Sequence, residues 1–351
     1  TVNVIDYVNV KSDQLTYFTD LLFSEKDDDS RFGYRSQFNY QPSNFSYISG
    51  SILYFDENFQ LNDFGYLRRA DWIHVGLGGG LKQINFSKES PVDQIDMNVD
   101  FNYDADTNGN SNPIRIDQKN EITFKDTSKL KFDFGIKTSG KNTTITRKNP
   151  DFPFIKINKK KNITLDFEAA NYKFWTYDWR ISFEKGDKYN SWNSDGYKRE
   201  FYKIAGSYFP NDNLKINLQY RVRKENEWLI WTEDNKFGLY DSEQDTVSIG
   251  LNWFSGNKHE IRLKSQFVAL QADNPQSLIS DNAGYLYESD ELIKPFTQGV
   301  VSFQVRYKYE IAPLSYLYLV YSKGGTSYDE DEDYSKSEIF NQPWNNPSDE
   351  V

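Results

Sequence analysis

The sequence contains no cysteine. That excludes a disulfide framework, a thiolate metal site and a cysteine nucleophile. Histidine is scarce as well: only His74 and His259 occur, far apart in the chain. Neither belongs to an H-E-x-x-H pair, no serine sits in a G-x-S-x-G elbow, and no carboxylate pair stands out for glycoside hydrolysis. No catalytic residue, and no enzyme activity, is expected from this pattern. Long apolar runs are missing too. Nothing approaches the roughly 18 consecutive apolar residues of a membrane-spanning helix. That absence leaves a membrane β-barrel open, because barrel strands give a much weaker hydropathy signal. No signal peptide is visible, and the chain starts at Thr1, so it reads as a mature or trimmed piece.

With 41 basic and 52 acidic residues, the net charge is -11. Such a chain is a poor partner for nucleic acid, whose phosphates must be neutralised by Lys and Arg. Hydrophobic residues make up only 37%, and mean hydropathy is -0.77, yet aromatics reach 17%. Polar on average but aromatic-rich suits a sheet with one greasy face and one wet face.

The period is two almost everywhere. Ile95, Met97, Val99, Phe101 and Tyr103 alternate with Asp96, Asn98, Asp100 and Asn102. Leu130, Phe132, Phe134 and Ile136 alternate with Lys131, Asp133 and Gly135. Leu214 to Val222 interleaves Lys215, Asn217, Gln219 and Arg221, and Val301 to Tyr309 interleaves Gln304, Arg306 and Lys308. A helix would scatter these apolar residues around its axis. Connections alternate between short, as at Pro42-Ser43-Asn44 or Asp126 to Ser128, and long, near 57–69, 104–113, 138–158, 187–196, 229–243, 272–296 and from 328 onward. Short periplasmic turns and long outer loops mark an up-and-down outer-membrane barrel. The predicted fold is all-β: an antiparallel transmembrane β-barrel of roughly 16 strands forming a single domain over 1–351. A soluble β sandwich would show similar alternation with shorter strands. Trp72, Trp228 and Trp231 near long loops, with Trp175 and Trp253 near short turns, predict two aromatic belts.

Two stretches carry a family resemblance. ENFQLNDFGYLRR at 57–69, and RYKYEIAPLS at 306–315 followed by YLVYSKGG at 318–325, resemble a bacterial outer-membrane family in which a carbohydrate-binding-module family 9-like domain precedes a barrel of unknown function. EWLIW at 227–231, NWF at 252–254 and HEIRLK at 259–264 fit in the same order. The resemblance implies an outer-membrane barrel of Gram-negative bacteria and carries over no chemistry. Nothing in the chain corresponds to the upstream domain. The chain stops at Asp349-Glu350-Val351 rather than in an aromatic-terminated strand, which predicts one or more missing closing strands.

The polar residues of the four clearest strands are the candidate lumen surface: Asp96, Asn98, Asp100, Lys131, Asp133, Lys215, Asn217, Gln219, Arg221, Gln304, Arg306 and Lys308. Opposed acids and bases would set a transverse field and tune passage. Mutually paired charges would instead fill a closed barrel. Arg68, Arg69, Trp192, Trp228, Trp231 and Tyr240 are candidate loop ligands, the aromatics for stacking on sugar faces. Asp104, Asp106 and Asn108, with Gly109, match the first half of a calcium loop, but Arg115 stands where the bidentate acid belongs, and Asn-Gly is ordinary hairpin chemistry. No other cofactor is indicated. The acidic runs 27–29 and 329–333 are candidates for divalent ions beside lipopolysaccharide, and Lys156, Lys159, Lys160 and Lys161 for lipid phosphates or a partner; solvated loops or strand ends are the commoner explanation of both. The expected role is a porin-like channel or binding component for a solute or polymer such as a glycan or peptide. Its surroundings would be outer-membrane lipid and lipopolysaccharide, with protein partners on its rims. The alternative is a closed barrel anchoring a periplasmic domain.

Overall fold

The computed structural model describes residues 2–12, 14–26, 29–59, 70–146, 149, 151–187, 196–256, 258–330 and 334–345. Alternating sequences of this kind pair edge to edge, and they do so in chain order. The strands are β1 (Val2–Ser12), β2 (Leu15–Lys26), β3 (Asp29–Ser43), β4 (Ser46–Phe55), β5 (Trp72–Gln83), β6 (Val92–Ala105), β7 (Arg115–Phe124) and β8 (Lys129–Lys137). Then come the short β9 (Gly140–Asn142) and β10 (Ile155–Ile157), β11 (Lys160–Glu168), β12 (Trp175–Gly186), β13 (Lys198–Asn211) and β14 (Leu214–Glu233). The chain continues through β15 (Lys236–Ser255), β16 (His259–Ser280), the short β17 (Leu286–Glu288), β18 (Phe296–Ala312) and β19 (Ser315–Glu330) to a helix, α1 (Lys336–Asn345). The long strands form one antiparallel sheet of 16 strands, an up-and-down transmembrane β-barrel. Each pairs with its sequence neighbour, with β8 passing directly to β11 and β16 to β18. Among the described residues no pairing joins β19 to β1. At the lower end of β19, Tyr318 and Leu319, on opposite faces, are 51% and 58% exposed.

In hydrocarbon every backbone N–H and C=O needs a partner, and these ladders supply one without water. β7, β8 and β11, at 10, 9 and 9 residues, have bilayer-spanning length. One face of the sheet carries the apolar residues, and it stays open: Leu77, Val99, Ile204 and Leu218 are each at least half exposed. A contiguous apolar surface of this extent suits the lipid that a transmembrane barrel faces. Trp175 and Trp253 lie on this face near the short turns, as a lower belt requires. Trp72 does not join the expected upper belt. It turns to the polar face, where it stacks with Phe55 and meets the His74 ring at a tilt. Its indole donates to Asp104 at 2.9 Å, a bond that lipid could not offer.

β14, β15 and β16, of 20, 20 and 22 residues, overshoot the bilayer. Residues 229–243 are therefore not a loop. They are two strands running to a tight turn at Asp234-Asn235. Extra residues interrupt the ladders on both flanks of β15, between Glu225 and Trp228 on β14 and next to Asn274 on β16, with Glu227 at φ 56° and Asn274 at φ 50°. These bulges divide the membrane part from the extension. The extension has its own core of Ile155, Phe237, Leu239, Leu278 and Leu286. Ile155 belongs to 138–158, the connection that rises from β8. Lys141 in that connection bonds Asn110 in the β6–β7 loop at 2.6 Å, while the Lys156 amide bonds the Gly284 carbonyl before β17 at 2.7 Å. β8, β11, β12, β13, β14 and β15 separate these two anchor points, so the connection is a chord across the upper mouth.

The helix α1 escaped the sequence reading. Ser335 and Glu338 form its capping box, with the Ser335 hydroxyl donating to Glu338 at 2.6 Å. It lies on the outer face of β16, β18 and β19, burying Ile339 and Pro343 and setting Trp344 against Phe267 and Phe303. Lys336 clamps it to Glu243 and Asp245 of β15.

Candidate functional site: the lumen wall

Register decides which polar side chains meet. Lys82, Asp96, Glu121 and Lys131 are consecutive cross-strand partners, as are Gly78, Asp100, Asp117 and Gly135. Followed strand by strand, the ladder puts Asp96, Asn98, Asp100, Lys131, Asp133, Lys215, Asn217, Gln219, Arg221, Gln304, Arg306 and Lys308 on one face, the concave one. A cavity of about 910 Å³ lies against it, lined by Asn217, Gln219, Lys264, Gln266 and Gln304 among others. Gly76, Gly78 and Gly80 share this face, and a Cβ at Gly76 would sit 2.7 Å from the Ser51 hydroxyl and 3.0 Å from Nε2 of His74. Side chains of the neighbouring strands fold over this bare stripe: the Tyr47 hydroxyl donates to Asn98 at 2.9 Å.

From β6 to β13 the wall is a chain of ion pairs. Lys119 meets Asp100 at 2.8 Å, Lys129 meets Glu121 at 2.8 Å and Lys131 meets Glu168 at 2.6 Å. Glu184 holds both Lys137, at 3.0 Å, and Arg199, at 3.4 Å. Arg180 pairs with Asp166 and Lys203 with Asp178. From β14 to β18 the pattern changes. Lys215, Arg221, Arg223, Arg262, Lys264, Arg306 and Lys308 share this face with three carboxylates: Glu225, which pairs with Arg223, Glu310 near the lower end, and Glu260, which pairs with Arg262 and lies 3.8 Å from Arg306. Lys308 instead covers the Tyr316 ring at 4.0 Å. Arg262 and Lys264 were missed in the sequence. The alternation of Glu260, Arg262, Lys264 and Gln266 with Ile261, Leu263 and Ser265 is the signal that marks them.

The loop-ligand candidates fare unevenly. Arg68, Arg69 and Trp192 lie outside the described residues. Trp228 and Tyr240 are not on loops but face each other across the β14–β15 ladder, in one aromatic cluster with Phe296 and Tyr328. Burial pushes the Tyr240 phenol up. Trp231, also on β14 rather than a loop, packs on the extension core and donates to the Asp234 carbonyl at 2.9 Å. These rings are spent on packing, because the extended strands need a core of their own.

The calcium candidates also have other partners. Asp104, at the end of β6, accepts from Trp72 and is bonded to Nδ1 of His74 at 2.9 Å. Asp106 accepts from the amide and side chain of Asn110, both at 2.7 Å, closing a turn with Gly109 at φ 82°. Among the described residues no group of three or more His, Cys, Asp or Glu is placed to hold a metal. Asp104, Asp106 and Asn108 instead line an upper cavity of about 930 Å³ with Trp72, His74 and Arg115. His259 is remote, on the outer face, bonded to Tyr307 at 2.7 Å. Of the basic stretch, Lys156 covers the Tyr285 ring, Lys159 reaches Asp187 at 3.5 Å and Lys160 covers Tyr197.

The model of one family, described as a domain of unknown function (DUF5916), matches residues 3–350. The chain belongs to that family. No curated protein matches this DUF5916 chain. Among solved structures it is similar to OmpT, an outer membrane protein of Vibrio cholerae, in its loop L8 deletion mutant: 11% identity, 93% of this chain and 94% of that one, TM-score 0.36. It is similar also to the outer-membrane expressed OmpT of Vibrio cholerae, at 13% identity over 88% and 99%, TM-score 0.34.

Proposed function

We propose that this DUF5916 barrel sits in the outer membrane of a Gram-negative bacterium and passes or holds a polar solute or polymer, such as a glycan or peptide, along its lumen, without catalysing a reaction. The observation that carries this reading is the cavity of about 910 Å³ whose lining includes the side-chain amides and hydroxyls of Asn217, Gln219, Ser248, Gln266 and Gln304 beside the charged Lys129, Glu168, Asp178 and Lys264. Such groups exchange hydrogen bonds with a hydroxylated or amide-bearing solute at little net cost. Lipopolysaccharide would surround the upper rim, and a carbohydrate-binding neighbour domain would suit a glycan cargo. The purified chain in planar bilayers should give stable single-channel steps that a permeant oligosaccharide or peptide interrupts.

A second reading has its own observation. The 138–158 chord across the mouth favours a closed barrel that anchors partner proteins. A correctly folded barrel, verified by heat-modifiable migration on gels, that stays silent in bilayers would decide for the anchor. Conductance that appears only after deletion of 143–153 would assign the chord the role of a plug.

A further inference from the structure

We propose that the lumen wall built by β14, β15, β16 and β18 is a binding site for an organic anion, one bearing carboxylate, phosphate or sulfate groups on a hydroxylated or amide-rich skeleton. This deepens the solute reading above and rests on it only in requiring that solute reach the lumen.

The first observation is an imbalance. Seven cations face the lumen here against Glu225, Glu260 and Glu310, in a chain whose net charge is -11. Composition would match cations with acids in this wall, as it does in the wall from β6 to β13. The second is a cross-strand clash. Arg262 and Arg306 are direct partners in the β16–β18 ladder. Like charges placed opposite one another destabilise a sheet. Glu260 relieves only part of this, since it lies 3.8 Å from the Arg306 guanidinium. The third is an unmet donor: Nε of Arg221 is buried without a hydrogen-bond partner. Lys215, Arg221 and Lys264 reach no carboxylate among the described residues.

Geometry gives the ligand its scale. Lys215, Asn252, Arg262 and Arg306 stand in one cross-strand row on four successive strands, and Lys264 stands two residues up from Arg262 on the same face. Neighbouring strands are about 4.8 Å apart, and same-face residues about 6.8 Å apart along a strand. The cations therefore present positive charge at intervals of roughly 5 to 10 Å, from those same spacings. Between and above them lie Asn217, Gln219, Gln266 and Gln304, neutral groups suited to hydroxyls or amides. Guanidinium and ammonium groups on a concave wall backed by lipid focus an attractive field on anionic oxygens.

The test uses the full chain in detergent micelles at low ionic strength, with sulfate, tri-galacturonate and, as the uncharged control, maltotriose. Calorimetric titration should show binding of tri-galacturonate and, more weakly, of sulfate, and a large preference of tri-galacturonate over maltotriose. Binding of sulfate alone would assign the site to small oxyanions and remove the organic skeleton from the proposal. Affinity should fall as chloride is raised from 20 to about 200 mM, beyond which the Debye length is under about 8 Å. The double variant Lys264→Gln/Arg306→Gln should lose roughly tenfold or more of the tri-galacturonate affinity. Heat-modifiable migration checks that it folds. Should it fail to fold, the single variant Lys215→Gln carries the same test. Equal binding of maltotriose and tri-galacturonate, or unchanged affinity in a folded variant, overturns the proposal. The bilayer separates it from passage: anion binding in a silent barrel upholds this site and sinks conduction, whereas conductance without anion binding sinks this site alone.

Discussion

The two halves of the lumen wall are made from the same residue types and behave oppositely. From β6 to β13 every strand brings a charge of one sign beside a charge of the other, as with Lys131 and Glu168 or Glu184 between Lys137 and Arg199. From β14 to β18 cations outnumber the carboxylates Glu225, Glu260 and Glu310. A paired wall is internal architecture, since its charges are already neutralised by neighbours. The basic wall has its electrostatic capacity unspent, and that capacity is what a solute can use. Charge content alone does not separate the two. The distinction lies in which charges reach a counter-charge, since like charges also stand opposite one another in the paired wall, as Asp96 and Glu121 do.

The largest effect expected from breaking this contrast is in the paired wall. Glu184 is 5% exposed and serves two cations. Glu184→Ala would leave Lys137 and Arg199 facing each other, at a cost of about 3 kcal/mol. Urea unfolding in micelles, read by tryptophan fluorescence, checks it, and a loss under about 1 kcal/mol would show that this wall is not held by its pairs. Asp166→Ala, which strands Arg180, should cost less, about 2 kcal/mol, because that guanidinium is nearly half exposed. In the basic wall the same measurement should barely move. Lys264→Gln removes no ion pair and is expected to stay within about 0.5 kcal/mol of the parent. A clear destabilisation there would erase the distinction between the walls.

The smallest effect lies outside both walls, in the short β7–β8 turn. The Ser128 hydroxyl and amide donate to Asp126 at 2.6 and 2.9 Å and hold its carboxyl below the usual range. A depressed carboxylate contributes stability above its unfolded value of about 3.9 and loses it as pH falls through the folded value. The midpoint difference between the parent and Asp126→Ala should therefore be present at pH 6 and vanish toward pH 2. A difference that persists at pH 2 would mean the turn is held by something other than this charge.

Much of the barrel was legible in the sequence because a period of two fixes the face of every residue. The twelve candidate lumen residues share a face for that reason. Partners were not legible. Whether Lys131 meets Glu168 depends on the registers of two hairpins and the 138–158 connection, which no single strand contains. The 229–243 segment misled because its polar turn, Thr232 to Lys236, interrupts an aromatic run, whereas the extra residue near Glu227 hides the continuing ladder. The helix α1 was masked by the acidic run before it and by Pro343 within it. Its capping box at Ser335 and Glu338 was the available signal.

The aligned bulges on both sides of β15, near Glu227 and Asn274, have one more consequence. They reset the inside-outside alternation just where the chain leaves the membrane. Below them a one-residue insertion in β14 would turn lumen residues to lipid; above them it would reshape only the extension. Sequence changes above the bulges can therefore rebuild the extension while the register of the lumen residues is kept.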